Sequence, residues 1–435
     1  MLDSDRMMVE GEGIGANGAS GEVIKADVGN RPAIEPILTP RIDIAVFAEH
    51  PSVREAAETL KADRRMRRAK LEVFPGALPV AIEHYKSTRT PDLIIVEAPA
   101  DETNLFEGLT ALAEECLQST KVIVVGQRND IALYRDLIDF GVGEYLACPI
   151  DSLSLLSAIG RLYRSQASRT LGKVFAFLGA RGGAGSSTLA HNVAWSLATD
   201  HKKDVLLIDL DLPFGTSGLD FNLSPPAGIA DALLEISKLD EARLERMVAR
   251  KGERLSILAP PLAMDADLEL NGENLEKLIQ TARKASQVTI LDLPHTWAPW
   301  MRELLLESDE IVVTAVPDLA NMRNFKKLAD YLKTSRPNDR PTRLVLNQIG
   351  LPKRPEIKPA DFAKATGANL EMEIAYNGIL FGRAANNGQM LSETTHNVQC
   401  ARAIGAFADR LVSGDTSPVK KAGASPLARI FKRAG

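Results

Sequence analysis

Cysteine is scarce in this chain. Three of the 435 residues are cysteine, namely Cys116, Cys148 and Cys400, and they stand far apart without a C-x-x-C pair. An odd number of widely spaced cysteines argues against a disulfide framework, a cysteine-rich zinc site or an iron–sulfur site, and indicates a reducing compartment. The six histidines form no H-x-x-x-H or H-E pattern, so we expect no histidine metal cluster.

Long apolar runs and a strong net charge are also missing. No stretch approaches about 18 uninterrupted apolar residues, so no transmembrane helix is expected. The amino terminus lacks the basic and apolar regions of a secretory signal. A net charge of −5 does not suggest a general nucleic-acid binder. Hydrophobic residues at 45% are nevertheless ordinary for a globular protein with a sizeable core, and we expect a cytoplasmic location.

Composition and hydrophobic periodicity divide the chain into four parts. Residues 1–40 are polar and rich in glycine, which predicts a disordered leader. Residues 41–165 alternate short apolar runs with helix-like segments, which predicts an α/β domain with a parallel sheet covered on both faces. Residues 171–412 form a longer series of the same kind, and residues 413–435 form a basic tail.

The second series carries separate strand and helix patterns. Continuous apolar runs predict buried strands at 173–179, 204–212, 255–261, 288–294, 310–317 and 343–350. Amphipathic runs predict helices at 187–199, 228–237, 240–250, 273–285, 300–306 and 319–334.

The segment "GARGGAGSST" (179–188) lies between a predicted strand and a predicted helix. In the phosphate loop G-x-x-x-x-G-K-[ST], glycines let backbone N–H groups cradle phosphates, the lysine meets them, and the hydroxyl holds Mg²⁺. Here Ala180 stands at the first glycine position and Ser186 stands where the lysine belongs, although Gly185, Ser187 and Thr188 fit. The context predicts a phosphate-binding loop, and the alternative is a glycine-rich turn without a ligand.

Three aspartates stand at the ends of predicted strands. Asp209 and Asp211 end one apolar run, and Asp292 ends another. Ligands of open α/β sheets bind beyond the carboxyl ends of the strands. A carboxylate there can hold Mg²⁺ or orient an attacking water. An ordinary strand-end cap is the alternative for each aspartate alone.

"RGGAGSSTLAHNVAWSLA" followed by "VLLIDLDLPFGTSGLD" resembles the deviant Walker ATPases of the MinD/ParA group, whose loop reads K-G-G-x-G-K-[ST]-T. In that resemblance Arg181 takes the place of the signature lysine, and Ser186 replaces the ordinary Walker lysine. The resemblance implies ATP and Mg²⁺ as ligands, covers about residues 171–412, and implies a P-loop nucleoside-triphosphatase fold. It places the phosphate cradle at Gly182, Gly183, Ala184, Gly185, Ser186, Ser187 and Thr188.

The same resemblance implies roles for the other polar residues. Ser187 and Asp292 match the two Mg²⁺ positions, and Asp211 matches the aspartate that positions water, with Asp209 beside it. Asn347 in "VLNQIG" matches the asparagine that contacts adenine. In the family the signature cation reaches across an ATP-sandwiched homodimer, so Arg181 and Asp211 are the candidate catalytic residues. Because serine cannot neutralise phosphate charge, we expect binding to survive and turnover to be slow or absent.

A pilus-assembly branch of this group, the CpaE/TadZ proteins of the tight-adherence (Flp) type IV pilus, is a closer resemblance. It is indicated by the loop without its second lysine, by "GILFGRAANNGQMLSE" (378–393), and by the additional α/β domain at 41–165. The resemblance implies a regulator that localises and helps to assemble the pilus machine at the cell pole. It also implies a pilus motor ATPase or membrane platform proteins as partners.

The 41–165 series resembles a response-regulator receiver, a flavodoxin-like doubly wound domain. The positions that carry chemistry in receivers have changed: Ala48 and Glu49 replace the acidic pair, Glu97 replaces the phosphorylated aspartate, and Cys148 replaces the lysine. We therefore expect a pseudo-receiver that docks or dimerises, and a phosphorylated switch is the alternative.

The roles of two basic segments have more than one interpretation. "DRRMRRAK" (63–70) is expected to be a solvated helix end or loop, and a docking surface for an acidic partner or anionic lipid is the alternative. In the tail, Leu427, Ile430 and Phe431 recur at helical spacing among cations. The tail resembles the short amphipathic membrane contact of MinD-like proteins, so peripheral attachment to the inner membrane and a disordered basic tail both stay open.

Four other functions compete with a pilus regulator. A ParA-like DNA-partitioning ATPase needs a basic face, which the net charge of −5 argues against, so DNA is not expected as a partner. A nitrogenase iron-protein-like reductase needs paired cysteines. A genuine response regulator is disfavoured by Glu97 and Cys148. A scaffold that has lost its nucleotide switch is the fourth alternative.

Overall fold

Short apolar runs of the sequence become strands in both halves of the chain. The structure, a computed structural model, describes residues 39, 42–99, 104–163, 171–225, 227–260, 270–394 and 399–415. The predicted leader, apart from Thr39, and residues 416–435 of the predicted tail lie outside the described residues. None of the helices in those ranges is both long and apolar enough to cross a membrane.

The first unit alternates strands and helices along residues 43–163. Its strands are β1 (Asp43–Ala48), β2 (Lys70–Pro75), β3 (Leu93–Glu97), β4 (Lys121–Gly126) and β5 (Glu144–Ala147). Its helices are α1 (Pro51–Lys61), α2 (Leu78–Tyr85), α3 (Leu105–Glu115), α4 (Ile131–Phe140) and α5 (Ser152–Tyr163).

The strands of the first unit form one parallel sheet. Across the described residues its order is β2-β1-β3-β4-β5, and each neighbouring pair is parallel. This is the order of flavodoxin-like doubly wound sheets. The central strand β3 is buried along its whole length because helices cover both faces of the sheet. The predicted α/β architecture of this part is confirmed.

The second unit is larger. Its strands are β6 (Lys173–Gly179), β7 (Val205–Asp209), β8 (Ala249–Lys251), β9 (Leu255–Leu258), β10 (Val288–Asp292), β11 (Glu310–Ala315), β12 (Arg343–Ile349) and β13 (Leu370–Ala375). Its helices are α6 (Ser186–Thr199), α7 (Ser217–Asp220), α8 (Ile229–Leu234), α9 (Glu241–Met247), α10 (Gly272–Ala285), α11 (Pro299–Glu307), α12 (Leu319–Ser335), α13 (Pro359–Thr366), α14 (Gly378–Asn386), α15 (Leu391–Thr394) and α16 (Gln399–Ser413).

One sheet organises the second unit. Its order, within the described ranges, is β13-β12-β11-β6-β10-β7-β9-β8, and only the β8–β9 pair is antiparallel. Strands β6, β7 and β10 lie in the middle, and β7 and β10 are buried throughout. Their carboxyl ends meet at one edge of the sheet, where a ligand of an open α/β sheet is expected to bind.

One predicted helix boundary is wrong, and one strand was missed. The helix predicted at 240–250 ends at Met247, and Ala249–Lys251 pairs with β9 as an edge strand. Strand β13 was not predicted, because its buried residues alternate with exposed ones instead of forming a continuous apolar run. The last helix of the second unit, α16, ends at Ser413.

The basic segment 63–70 is not a solvated helix end. Arg64–Met66 form a 3₁₀ turn that faces the second unit. The Nε atom of Arg64 lies 2.7 Å from Oδ2 of Asp339, and Nη2 of Arg65 lies 2.8 Å from Oδ1 of the same carboxylate. Asp339 lies just before β12 and therefore at the amino-terminal edge of the second sheet. The segment thus docks on an acidic site of its own chain, on the side of the sheet opposite the carboxyl strand ends.

Candidate nucleotide-binding site

Glycines shape the loop between β6 and α6. Gly183 and Gly185 have φ angles of +81° and +89°, which side chains rarely adopt. A Cβ atom on Gly185 would lie 2.4 Å from Nδ2 of Asn347, so the side chain of Asn347 also requires glycine there. Because the amino terminus of α6 follows directly, its unpaired N–H groups and dipole favour an anion at this loop.

The loop forms one wall of a cavity of about 560 Å³. This volume falls in the usual range for small-molecule sites. A Cβ atom on Gly182 or Gly183 would meet nothing within 4 Å, so the loop borders open space. The structure brings these predicted residues together around the cavity: Arg181, Gly182, Gly183, Ala184, Gly185, Ser186, Ser187, Thr188, Asp211 and Asn347.

Ser186 lines the cavity but does not present its hydroxyl to it. The residue is 9% exposed, and its Oγ atom is enclosed without a hydrogen-bond partner among the described residues. The hydroxyl therefore cannot contact a phosphate in this conformation. Position 186, where P-loops carry a lysine, thus offers a phosphate neither a positive charge nor an accessible hydroxyl.

Two amide side chains hold the loop from β12. The Nδ2 atom of Asn347 donates to the carbonyl of Ala184 at 2.8 Å, and Nε2 of Gln348 donates to the carbonyl of Gly183 at 3.0 Å. Both hydrogen bonds tie backbone carbonyls of the loop to β12. Asn347 therefore has a structural role in this conformation as well as a position in the cavity wall.

Asp209 and Asp292 do not lie in the cavity wall as the described residues form it. Both are buried beneath it, with 0% and 2% exposure. The carboxylate of Asp209 accepts the backbone N–H groups of Asp211 at 3.2 Å and Ser217 at 3.1 Å. It shapes the turn after β7 instead of facing a ligand. Asp211, in contrast, is partly exposed in the wall, and burial raises the pKa of its carboxyl.

A buried histidine that sequence reasoning missed sits beside these aspartates. Nδ1 of His191 lies 2.8 Å from Oδ2 of Asp220, and Nε2 lies 3.2 Å from Oδ2 of Asp292. Burial alone disfavours a charged ring, but hydrogen bonds and charge from Asp220 and Asp292 raise the pKa of His191 to about 10. Burial and the negative charge of Asp292 raise the pKa of Asp209 to about 6.

These groups can be compared with the requirements of a metal ion. One ligand atom each from His191, Asp209 and Asp292 lies within 4.8 Å of the others. The carboxylates of Asp220 and Asp292 on either side of the ring favour its protonated form, which would not coordinate a metal. Oδ1 of Asp292 is enclosed and has no hydrogen-bond partner among the described residues, so one buried carboxylate oxygen remains for a water or a cation.

A second missed histidine, His295, lines the cavity beyond the end of β10. Its Nδ1 atom lies 3.1 Å from the carbonyl oxygen of Gly179. Tyr376 and Phe381 add aromatic surface to the wall. The signal for His295 was available, because it stands three residues after the strand-end Asp292 and must lie near the same sheet edge.

Comparisons with known proteins agree with this arrangement. Residues 172–342 match a family described as an AAA domain. A curated relative, the virulence plasmid ParA family protein pGP5-D of Chlamydia psittaci, is 27% identical over 169 residues. That match covers 37% of this chain and 64% of the relative, so the chain spans just under two thirds of the relative's length.

Two solved structures are also similar. A ParA family ATPase from Chlorobium tepidum TLS has a TM-score of 0.51 at 22% identity, and the match covers 55% of this chain and 99% of that one. A pilus assembly protein CpaE from Caulobacter crescentus CB15 is 43% identical over 30% of this chain and 98% of that one, with a TM-score of 0.29.

The glycine loop between a central strand and a helix, on a mostly parallel sheet, defines the second unit as a P-loop nucleoside-triphosphatase fold. Within that class its fold is similar to that of the ParA family ATPase from Chlorobium tepidum.

Proposed function

We propose that this chain is an ATP-binding, homodimerising regulator of the CpaE/TadZ branch, which localises and supports the assembly of a Flp-type pilus machine. The observation that carries the nucleotide part is the loop itself. Its glycines keep the open, positive-φ cradle at the start of α6, while the hydroxyl of Ser186 is enclosed. Backbone N–H groups therefore remain to bind phosphates, and the intrasubunit cation is missing.

Residues in the wall and buried outside it could together hold Mg²⁺–ATP. Ser187 lines the cavity and would offer its hydroxyl to Mg²⁺, and the buried Asp292 would contribute through its unpartnered oxygen. A bound Mg²⁺ would neutralise part of the phosphate charge. Asp211, in the wall, would orient the attacking water, and Asn347, which now donates to the carbonyl of Ala184, would be the side chain that contacts adenine. Arg181 is exposed at the cavity mouth, where it can reach the nucleotide of a second copy.

Slow or absent hydrolysis is expected because the site lacks a lysine at position 186. Positioning and charge stabilisation supply most of the catalysis in phosphoryl transfer. One subunit alone offers Arg181 at its edge and no lysine at position 186. ATP binding and dimerisation are therefore the switch, and the dimer face recruits a pilus motor ATPase or membrane platform proteins.

The pilus assignment is supported by sequence. The loop without its second lysine and the segment 378–393 resemble the CpaE/TadZ branch, and a piece of the Caulobacter CpaE shares 43% identity with part of this chain. We place the protein in the cytoplasm and at the cell pole, with peripheral contact to the inner membrane through residues 413–435.

The first unit acts as a pseudo-receiver in this proposal. Oε2 of Glu97 accepts the backbone N–H groups of Glu49 at 2.7 Å and His50 at 2.8 Å, and Glu97 is 6% exposed. The carboxylate is thus tied into the fold instead of offered to a phosphodonor. Incubation with acetyl phosphate should leave the intact mass unchanged, and a phosphoryl adduct that depends on Glu97 would overturn this assignment.

The test of the proposed function has two arms. The affinity of the full chain for Mg²⁺–ATP is measured by calorimetry, with Ser187→Ala as the variant that should lose the Mg²⁺ dependence. Pilus assembly and the position of a fluorescent fusion are then compared in cells that carry the wild type or a non-binding loop variant. Absence of ATP binding contradicts the nucleotide part, and normal pili without the protein contradict the pilus part.

ParA-like DNA partitioning is the second candidate, because the curated relative is a plasmid ParA family protein. It predicts retention of the ATP-bound chain on DNA that weakens steeply with salt. The net charge of −5 argues against such retention.

A further inference from the structure

The cavity wall contains few charged groups. Among the described residues that line it, Arg181 is the permanent cation, Asp211 is the carboxylate, and His295 is the imidazole. The site therefore lacks the lysine with which P-loops bind a polyanionic ligand. Ser186 cannot replace that lysine in this conformation because its Oγ atom is enclosed. Arg181 and His295 are both exposed, and His295 is the second lining side chain that can carry a positive charge.

The backbone fixes His295 beside the glycine loop. Strand β10 pairs with β6 along its length, and beyond that ladder the N–H of Leu293 donates to the carbonyl of Phe177 at 3.0 Å. This pairing carries the β10–α11 connection up to the end of β6, where the loop begins. His295 therefore lies beside Gly179, the last residue of β6.

The ring has a defined orientation. Its Nδ1 atom lies 3.1 Å from the carbonyl oxygen of Gly179. A carbonyl only accepts hydrogen bonds, so Nδ1 carries the proton and donates it. The ring is thereby held against the base of the loop, and Nε2 is the nitrogen left for a ligand. A protonated ring would donate from Nε2 to a phosphate oxygen as a charge-assisted hydrogen bond.

We propose that His295 is the intrasubunit phosphate-binding side chain of this site. It supplies the phosphate contact that is missing because Ser186 replaces the Walker lysine. The ligand class is a nucleoside polyphosphate held between the amino terminus of α6 and the imidazole. This inference rests on the proposed nucleotide binding and adds one named contact to it.

The test uses the full chain and two readouts. Calorimetry gives the Kd for Mg²⁺–ATP of the wild type, His295→Ala, His295→Gln and His295→Lys. We expect the alanine and glutamine variants to bind about tenfold or more weakly, as for loss of a hydrogen bond to a charged group. The lysine variant restores a cation and should bind within a few-fold of the wild type. His201→Gln, at a partly buried histidine outside the cavity wall, is the matched control.

The second readout is the imidazole resonance of His295 in the wild type, which should shift when Mg²⁺–ATP is added while that of His201 stays in place. Thermal unfolding of each variant separates loss of contact from loss of fold. If the wild type binds ATP but His295→Ala binds equally well, or the His295 resonance does not move, the inference fails alone. If the wild type does not bind ATP, the proposed function fails with it.

Discussion

Arg64 and Asp339 join the two units across a buried ion pair. Nε of Arg64 lies 2.7 Å from Oδ2 of Asp339, and the two side chains are 8% and 9% exposed. Arg65 and Arg336 contact the same carboxylate at 2.8 Å and 2.9 Å. One carboxylate thus holds three guanidinium groups, two from the first unit and one from the second. The contact leaves the nucleotide cavity uncovered, since it lies at the opposite edge of the sheet.

We expect Asp339→Asn to destabilise the chain by about 3–5 kcal/mol, because it leaves three largely buried guanidinium groups without their shared counter-charge. Urea unfolding gives the free energy, and hydrogen exchange across residues 63–70 shows whether the units separate. Glu72→Gln, which breaks the exposed Lys70–Glu72 pair, is the control and should change neither. Unchanged exchange at 63–70 in Asp339→Asn would contradict the docking role.

The lowered pKa of Asp339 predicts that the chain loses stability in acid. Burial alone would raise the pKa of Asp339, but Arg336 and Arg64 hold it well below its ordinary value of 3.8. Its contribution to stability is therefore complete above about pH 4 and is lost as the pH falls below that value. The free energy of unfolding, measured by urea titration at several acidic pH values, should fall more steeply in the wild type than in Asp339→Asn. Parallel pH profiles would show that Asp339 does not carry this effect.

His191 is expected to be essential for the stability of the second unit. Its ring lies between Asp220 and Asp292, and it is 1% exposed. His191→Leu keeps the approximate volume but leaves two carboxylates without their cation, and we expect a loss of about 3–5 kcal/mol in the free energy of unfolding. His201→Gln, at a partly exposed ring, should have little effect. Wild-type stability of His191→Leu would show that the two carboxylates are neutralised in another way.

Arg181 is predicted to act on the nucleotide of a partner subunit. Where turnover is measurable, Arg181→Ala and Asp211→Asn should each reduce it at least tenfold, because cations inserted in trans supply large factors in phosphoryl transfer. A mixture of the two variants should recover part of the activity, since mixed dimers contain one site with an intact Asp211 and the partner's Arg181. No recovery in the mixture, or wild-type turnover by Arg181→Ala alone, would contradict action in trans.

Much of the fold could be predicted because buried parallel strands have continuous apolar sequences. Strands β3, β7, β10 and β11 are buried along their whole length, and each coincides with such a run. Edge strands β8 and β13 could not be predicted in this way. No residue of β8 is fully buried, and the buried residues of β13 are interrupted by exposed ones, so neither shows the run that marks a central strand.

The parts of the site that belong to a local sequence motif could be predicted. The parts that depend on contacts between residues distant in the sequence could not. The loop 181–188 follows from its motif, Asp211 from its place at a strand end and Asn347 from the family resemblance, and all lie together in the cavity wall. His191 could not be predicted, because it pairs with Asp220 and Asp292 far along the chain. The position of His295 after a strand end was readable, but its contact with Gly179 was not. The docking of segment 63–70 likewise depends on Asp339, 275 residues beyond Arg64.

The central claim is that a P-loop with serine in place of its lysine still binds ATP and uses it to assemble. Light scattering of the full chain, with and without Mg²⁺–ATP, tests this most directly. We predict a mass near 47.1 kDa without nucleotide and twice that value with Mg²⁺–ATP. An identical mass in both conditions would contradict the claim and indicate a scaffold that retains the fold without the switch.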